Sequence, residues 1–384
     1  MTPQSHDMIA RLVGHDTVSR HSNLALIDEI QGYLAEHGIA STLIHNAERT
    51  KASLLATVGP SREGGVVLSG HTDVVPVDNQ PWSSDPFTLT ERQGRLYGRG
   101  TCDMKGFIAT ALAMVPAWLQ KDLQRPIHLA LSYDEEVGCL GAPALIDRLL
   151  ADVPRPDAVI VGEPTSLQPV VAHKGIAVLR TTVTGHEAHS SQVHRGVSAV
   201  MTAARLVAFI EDMALQNQAK QDAGSRFDPP FSTLHVGTVL GGTAVNIISR
   251  HCEFSWDIRC LPDDDWRTYL QRFQAYADTL LPAMRAIAPR ASIETEVVVT
   301  VPPLHDAGGA AQTLASELLD SGRPAVVPFV SEAGQFQERG LDVVVCGPGS
   351  INQAHQPDEY IEISQITAFE QFLNRLGDRL CEGH

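Results

Sequence analysis

The sequence predicts an α/β fold: a mainly parallel sheet with helices on both faces, interrupted by an inserted ferredoxin-like α+β unit. Two observations lead there. Short, continuously apolar runs at Val66–Leu68, Ile127–Leu131, Ala158–Val161 and Val343–Cys346 alternate with helical patterns, and such runs belong to strands buried on both faces between helix layers. Between about Ile176 and Val298 the strand patterns instead alternate apolar with polar, and the order of elements becomes β, α, β, β, α, β. The expected division is residues 1–175 and 299–384 for the main domain and 176–298 for the insertion.

Taken in order, Ser22 is a candidate N-cap for a first amphipathic helix. Leu24, Ile27, Ile30 and Leu34 recur at helical spacing until Gly38 stops the run. A second helical pattern covers Met104–Gln120, with Pro116 expected to kink or shorten it, and a third covers Ala142–Leu150. Inside the insertion, strands are expected at Val178–Thr184, Thr233–Val239, Cys252–Arg259 and Ile293–Val299, around helices at Val197–Met213 and Trp266–Met284. Parallel sheets place ligands just beyond the carboxyl ends of their strands. His71 follows the first apolar run, Glu135 and Glu136 the second, Glu163 the third, and His355 lies a loop beyond the fourth.

Composition narrows the function classes. The chain has 384 residues, 43% of them hydrophobic, enough for a substantial core and two domains. No stretch approaches a membrane span, and the N-terminal segment carries charges where a signal peptide needs an apolar centre, so a cytoplasmic location is expected. The six cysteines are far apart with no CxxC pairing and read as reduced packing thiols. A formal charge of −16 with scattered lysines and arginines excludes a nucleic-acid surface and favours a small substrate.

The chemistry rests on a set of residues rather than on any single one. His71, Asp103, Glu136, Glu163 and His355 supply imidazoles and carboxylates, one of which is shareable: the donors that two neighbouring divalent ions need to activate water. Asp73 lies two residues beyond His71, on the same side of an extended segment, placed to accept the other imidazole N–H. Alone, that pair is an ordinary hydrogen-bonded couple. Asp103 alone is an N-cap, and Glu163 and His355 alone are loop residues. The doublet Glu135–Glu136 says more, because adjacent carboxylates after a buried strand repel unless a cation lies near. One can bind metal while the other exchanges protons.

The ordered motifs HTDVVP, YGRGTCDMKG, DEEVG, GEPT and AHQPDEY resemble the M20 metallopeptidase family over nearly the whole chain. PWSSDPF, VVAHKG, SEAGQF and CGPGSINQAHQPDEY most resemble a branch that deacetylates an amino acid. The resemblance implies a zinc-dependent exopeptidase-like fold and two zinc ions, with cobalt as a substitute. It places His71 and Glu163 on one ion and Glu136 and His355 on the other, with Asp103 shared and Glu135 as general base and acid. It implies that the insertion is a lid and dimerisation domain of a homodimer, and that His189 in TGHEAHSS reaches the partner's site. Asn246 and Arg259 match substrate-contact positions: Arg259 suits bidentate capture of a carboxylate, while Asn246 fits a turn equally well. Glu332 is a candidate partner for a cationic substrate group, or a plain loop acid. The expected activity is hydrolysis of an N-acyl amino acid, the rivals being desuccinylation or dipeptide cleavage by the same machinery. A catalytically silent metal-stabilised protein would lack the shuttle or a ligand, and neither is missing.

Overall fold

Strand Val66–His71 is buried along its whole length because helices cover both faces of the sheet around it. The computed structural model describes residues 1–221, 224–319 and 323–382. They divide into one unit of Met1–Ala172, His305–Val326 and Ser331–His384 and another of His173–Leu304 and Val327–Val330.

The first unit is built on an eight-stranded sheet in the order Ser41–His45, Ala52–Val58, Ile127–Ser132, Val66–His71, Ala158–Pro164, Val343–Gly347, Val170–His173, Ala325–Val327. The four strands from Ile127–Ser132 to Val343–Gly347 are mutually parallel, so their carboxyl ends emerge on one side. Strands Ala52–Val58 and Val170–His173 join this block antiparallel, which makes the sheet mixed at its flanks. On one face Leu68, Leu129, Ile160 and Val344 share a core with Leu112 and Val115 of helix Lys105–Leu119 and Phe369, Phe372 and Leu373 of helix Ile363–Cys381. Alternate residues Val67, Ala130 and Val159 are buried on the other face, where helix Ala142–Asp152 buries Leu145, Ile146 and Leu149. Each fully buried Leu, Ile or Phe contributes ~1.5–3 kcal/mol relative to exposure.

Two local expectations change for visible reasons. A helix at Pro3–Val13 comes first in the chain, and the helix expected after Ser22 spans Leu24–Glu36 with Asn23 as its N-cap residue. The Asn23 side chain bonds Ala52 instead of the helix, and Ser22 Oγ accepts from Leu24 N at 3.2 Å. Helix Lys105–Leu119 runs through Pro116. Proline has no N–H for the carbonyl four residues earlier, and Tyr33 Oη donates to that orphan, Leu112 O, at 3.1 Å.

The second unit is ferredoxin-like: an antiparallel sheet ordered Thr233–Gly241, His251–Cys260, Gly175–Thr184, Ser292–Val301, with helices Ala199–Ala219 and Trp266–Ile287. Strand His251–Cys260 alternates buried with half-buried residues, and its inward Phe254, Trp256 and Ile258 meet Leu206, Ile210 and Phe273.

Candidate functional site

The shared direction of the parallel strands is what gathers the site. His71 is the last residue of its strand, and the main-chain oxygen of Asp73 accepts from its Nδ1 at 3.0 Å. That bond leaves Nε2 aimed at Asp103 Oδ1, 3.1 Å away, and 3.7 Å from Glu163 Oε1. The other carboxylate oxygen of Asp103 lies 3.2 Å from His355 Nε2, which is itself 3.1 Å from Glu136 Oε2. Asp103 thus presents one oxygen to each imidazole. It precedes helix Lys105–Leu119, and its peptide bond to Met104 is cis.

Close packing places the remaining acids. Glu163 sits in strand Ala158–Pro164 beside Gly162, where a Cβ would fall 2.2 Å from the Phe107 ring; only glycine lets the helix approach the strand there. After strand Ile127–Ser132 the chain turns at Asp134, whose φ is 56°, a left-handed value that Asp tolerates. Lys51 pairs with the Asp134 carboxylate. The doublet that follows is held by Asp73, whose side chain accepts from the amides of Glu135 at 3.1 Å and Glu136 at 3.3 Å and from Ser19 Oγ at 2.7 Å. Sequence spacing had assigned the Asp73 carboxylate to the His71 ring, but its nearer oxygen is 3.8 Å from Nδ1 and the main-chain oxygen takes that bond. Asp73 orients the two glutamates instead.

The electrostatics are those of crowded buried acids. Burial and neighbouring carboxylates push Glu135 and Glu163 well above the usual carboxylate range and Glu136 up to about 7. Burial acts the same way on Asp103, yet hydrogen bonds from His355 and His71 hold its carboxyl low. Hydrogen bonds to Asp103 and Glu136 push His355 up to about 10. Among the described residues, Glu136 Oε1 and Glu163 Oε1 are buried acceptors with no hydrogen-bond partner. Orphaned buried carboxylate oxygens fit divalent cations. His71, Glu135 and Glu163 offer donor atoms within 4.8 Å of one another, and so do His71, Asp103 and Glu136. Glu135 therefore borders the same space as the ligand set, its Oε1 3.4 Å from Cys139 Sγ.

Glu332 is 1% exposed, with Oε2 accepting from Ser69 Oγ at 3.2 Å and Oε1 without a hydrogen-bond partner among the described residues; its carboxylate interacts electrostatically with Glu135 and His71. In the second unit His189 is exposed and bonds Ser191 Oγ at 2.8 Å, and the Asn246 main-chain oxygen accepts from Ser190 N at 3.0 Å. Arg259 is at the far end of strand His251–Cys260, 3.6 Å from Asp257. At a rise of about 3.3 Å per residue, ~26 Å of sheet separates it from the His189 and Asn246 end. All six cysteines are free thiols, and no described helix is long and apolar enough to cross a membrane.

Imidazoles and carboxylates converging at the strand ends of an α/β sheet define a metal-dependent hydrolase site. The profile of Peptidase family M20/M25/M40 matches residues 67–378, and the chain belongs to that family; it is a metal-dependent amidohydrolase. It is 34% identical over 388 residues to acetylornithine deacetylase of Pasteurella multocida (strain Pm70), with 99% of each chain covered. Against acetylornithine deacetylase of Myxococcus xanthus it is 35% identical over 386 residues, covering 99% of this chain and 98% of that one. Among solved structures it resembles an M20 family metallo-carboxypeptidase from Sulfolobus solfataricus, with TM-score 0.76 and 18% identity over 99% of this chain and 100% of that chain. That likeness shows the fold.

Proposed function

We propose that this protein hydrolyses N-acetyl-L-ornithine to L-ornithine and acetate, using two zinc ions, in the cytoplasmic synthesis of arginine. The observation that carries the dimetal reading is Asp103, whose two oxygens lie 3.1 Å from His71 and 3.2 Å from His355. In this reading His71 and Glu163 hold one ion, Glu136 and His355 the other, and Asp103 is shared. Bound there, the ions supply Lewis acidity and lower the pKa of water. Glu135 accepts the proton from the attacking water and returns it to the departing amine, which makes the amine a competent leaving group. A buried carboxyl pushed up by desolvation suits both halves of that transfer.

Support for the substrate comes from the two deacetylases at about the same identity over essentially the full chain. Arg259 presents a guanidinium suited to the α-carboxylate. His189 is assigned to the developing oxyanion from the partner copy of a homodimer, and Asn246 to substrate contact. Their place at the opposite end of the sheet from Arg259 supports a site that draws on two copies of this unit. The test is zinc-loaded protein assayed on N-acetylornithine, N-succinyl-diaminopimelate and N-acyl glutamates. The highest kcat/KM is expected on N-acetylornithine; a higher value on either other class replaces the substrate assignment.

A further inference from the structure

We infer that the buried pair Arg99–Glu359 is a positioning clasp that sets the spacing of Asp103 and His355. The inference rests on the dimetal reading above. Arg99 and Glu359 side chains are 0% and 1% exposed, with Nη1 donating to Oε2 at 2.6 Å. A buried ion pair loses much of its Coulomb gain to desolvation, and an apolar pair of similar volume serves stability as well or better. What marks this pair is where its other hydrogen bonds go.

Glu359 Oε1 accepts from the main-chain N–H groups of Cys102 at 2.9 Å and Asp103 at 3.1 Å. Those two amides define the backbone from which the shared carboxylate projects. Arg99 Nη1 donates to Gln356 O at 3.3 Å, and Nη2 donates to Gln80 Oε1 at 2.7 Å. Gln80 Nε2 in turn donates to His355 O at 3.1 Å. His355 is a non-glycine residue with φ 62°, a conformation that persists only where its surroundings hold it. The clasp supplies those surroundings, because it fixes the carbonyls of His355 and Gln356 in succession. The Arg99 guanidinium is held in turn by the Trp82 ring, 5.0 Å from its centroid. One ion pair therefore ties together the backbones of the two residues whose side chains meet at 3.2 Å. A merely structural pair would stabilise the fold without altering metal affinity; a clasp must alter it.

The experiment uses the full chain stripped of metal, as wild type, Glu359→Ala, Glu359→Gln and Gln80→Ala. Zinc is titrated against a chromophoric chelator, the visible spectrum of the cobalt form is recorded, and near-UV circular dichroism checks the fold. Wild type is expected to bind two ions. In Glu359→Ala one site is expected to weaken ~10–100-fold, the usual cost of losing an outer-shell partner, with a changed cobalt spectrum. Glu359→Gln keeps an oxygen for the Cys102 and Asp103 amides and is expected to recover part of the loss. Gln80→Ala cuts the His355 arm, together with the bond from Trp82 Nε1, and leaves Glu359 on the Cys102 and Asp103 amides, so it decides the matter if Glu359→Ala does not fold: the same site weakens in a folded protein. Folded variants that bind both ions as wild type does overturn the clasp. A wild-type protein that does not bind two ions overturns the dimetal reading itself.

Discussion

His128 offers a test of the core that is independent of the metal site. It lies in strand Ile127–Ser132, 1% exposed, with Thr57 Oγ1 2.9 Å from Nδ1 and, among the described residues, no partner on Nε2. Burial alone lowers its pKa from the ordinary 6.5 to about 4. Because the folded value is below the unfolded one, the unfolded chain binds the extra proton between them, and stability falls as pH drops through that window. At about 1.4 kcal/mol per pKa unit the loss amounts to ~3 kcal/mol by about pH 4. Glutamine keeps a polar atom near Thr57 and does not titrate, so His128→Gln removes this contribution. Urea unfolding of metal-free wild type and variant, from about pH 7 to about pH 4.5, should show wild type losing stability relative to the variant as the medium acidifies. Parallel stability curves across that range would refute the assignment of a neutral, desolvated imidazole.

Three further outcomes are expected. Glu135→Gln should keep its metal content while turnover falls ~10²–10⁴-fold, the range for a lost general acid and base; near-normal kcat in a metal-replete variant rejects the role. Gly162→Ala should destabilise the first unit by ~1–3 kcal/mol by overpacking against Phe107, read as a lowered urea midpoint, and an unchanged midpoint would mean the helix yields freely. Mixing Glu135→Gln with His189→Ala chains should restore activity if His189 acts in the partner's site. Mass measurements must show exchange, and exchange without recovery places His189 in its own chain or in a supporting role only.

Much of the fold and of the ligand set is legible from local sequence. Continuous apolar runs such as Ile127–Leu131 report burial on both faces directly, because side chains alternate and only a covered sheet needs both sets apolar. The positions of His71, Glu136 and Glu163 just past such runs follow from the same periodicity; the donor set pointed to paired ions, and the motif resemblance assigned each ligand to its ion. Tertiary structure decided what depends on partners distant in the chain. Tyr33 rescues the carbonyl freed by Pro116, so the helix continues where local rules stop it. Asp73 serves the amides of Glu135 and Glu136, 62 and 63 residues onward, although local spacing tied it to His71. Glu332 turns inward to Ser69, and Arg99 finds Glu359 across 260 residues. Periodicity and spacing encode which face a side chain takes within its own element. A hydrogen-bond acceptor buried away from water must be satisfied by whatever the fold brings to it, and that partner has no fixed distance along the chain.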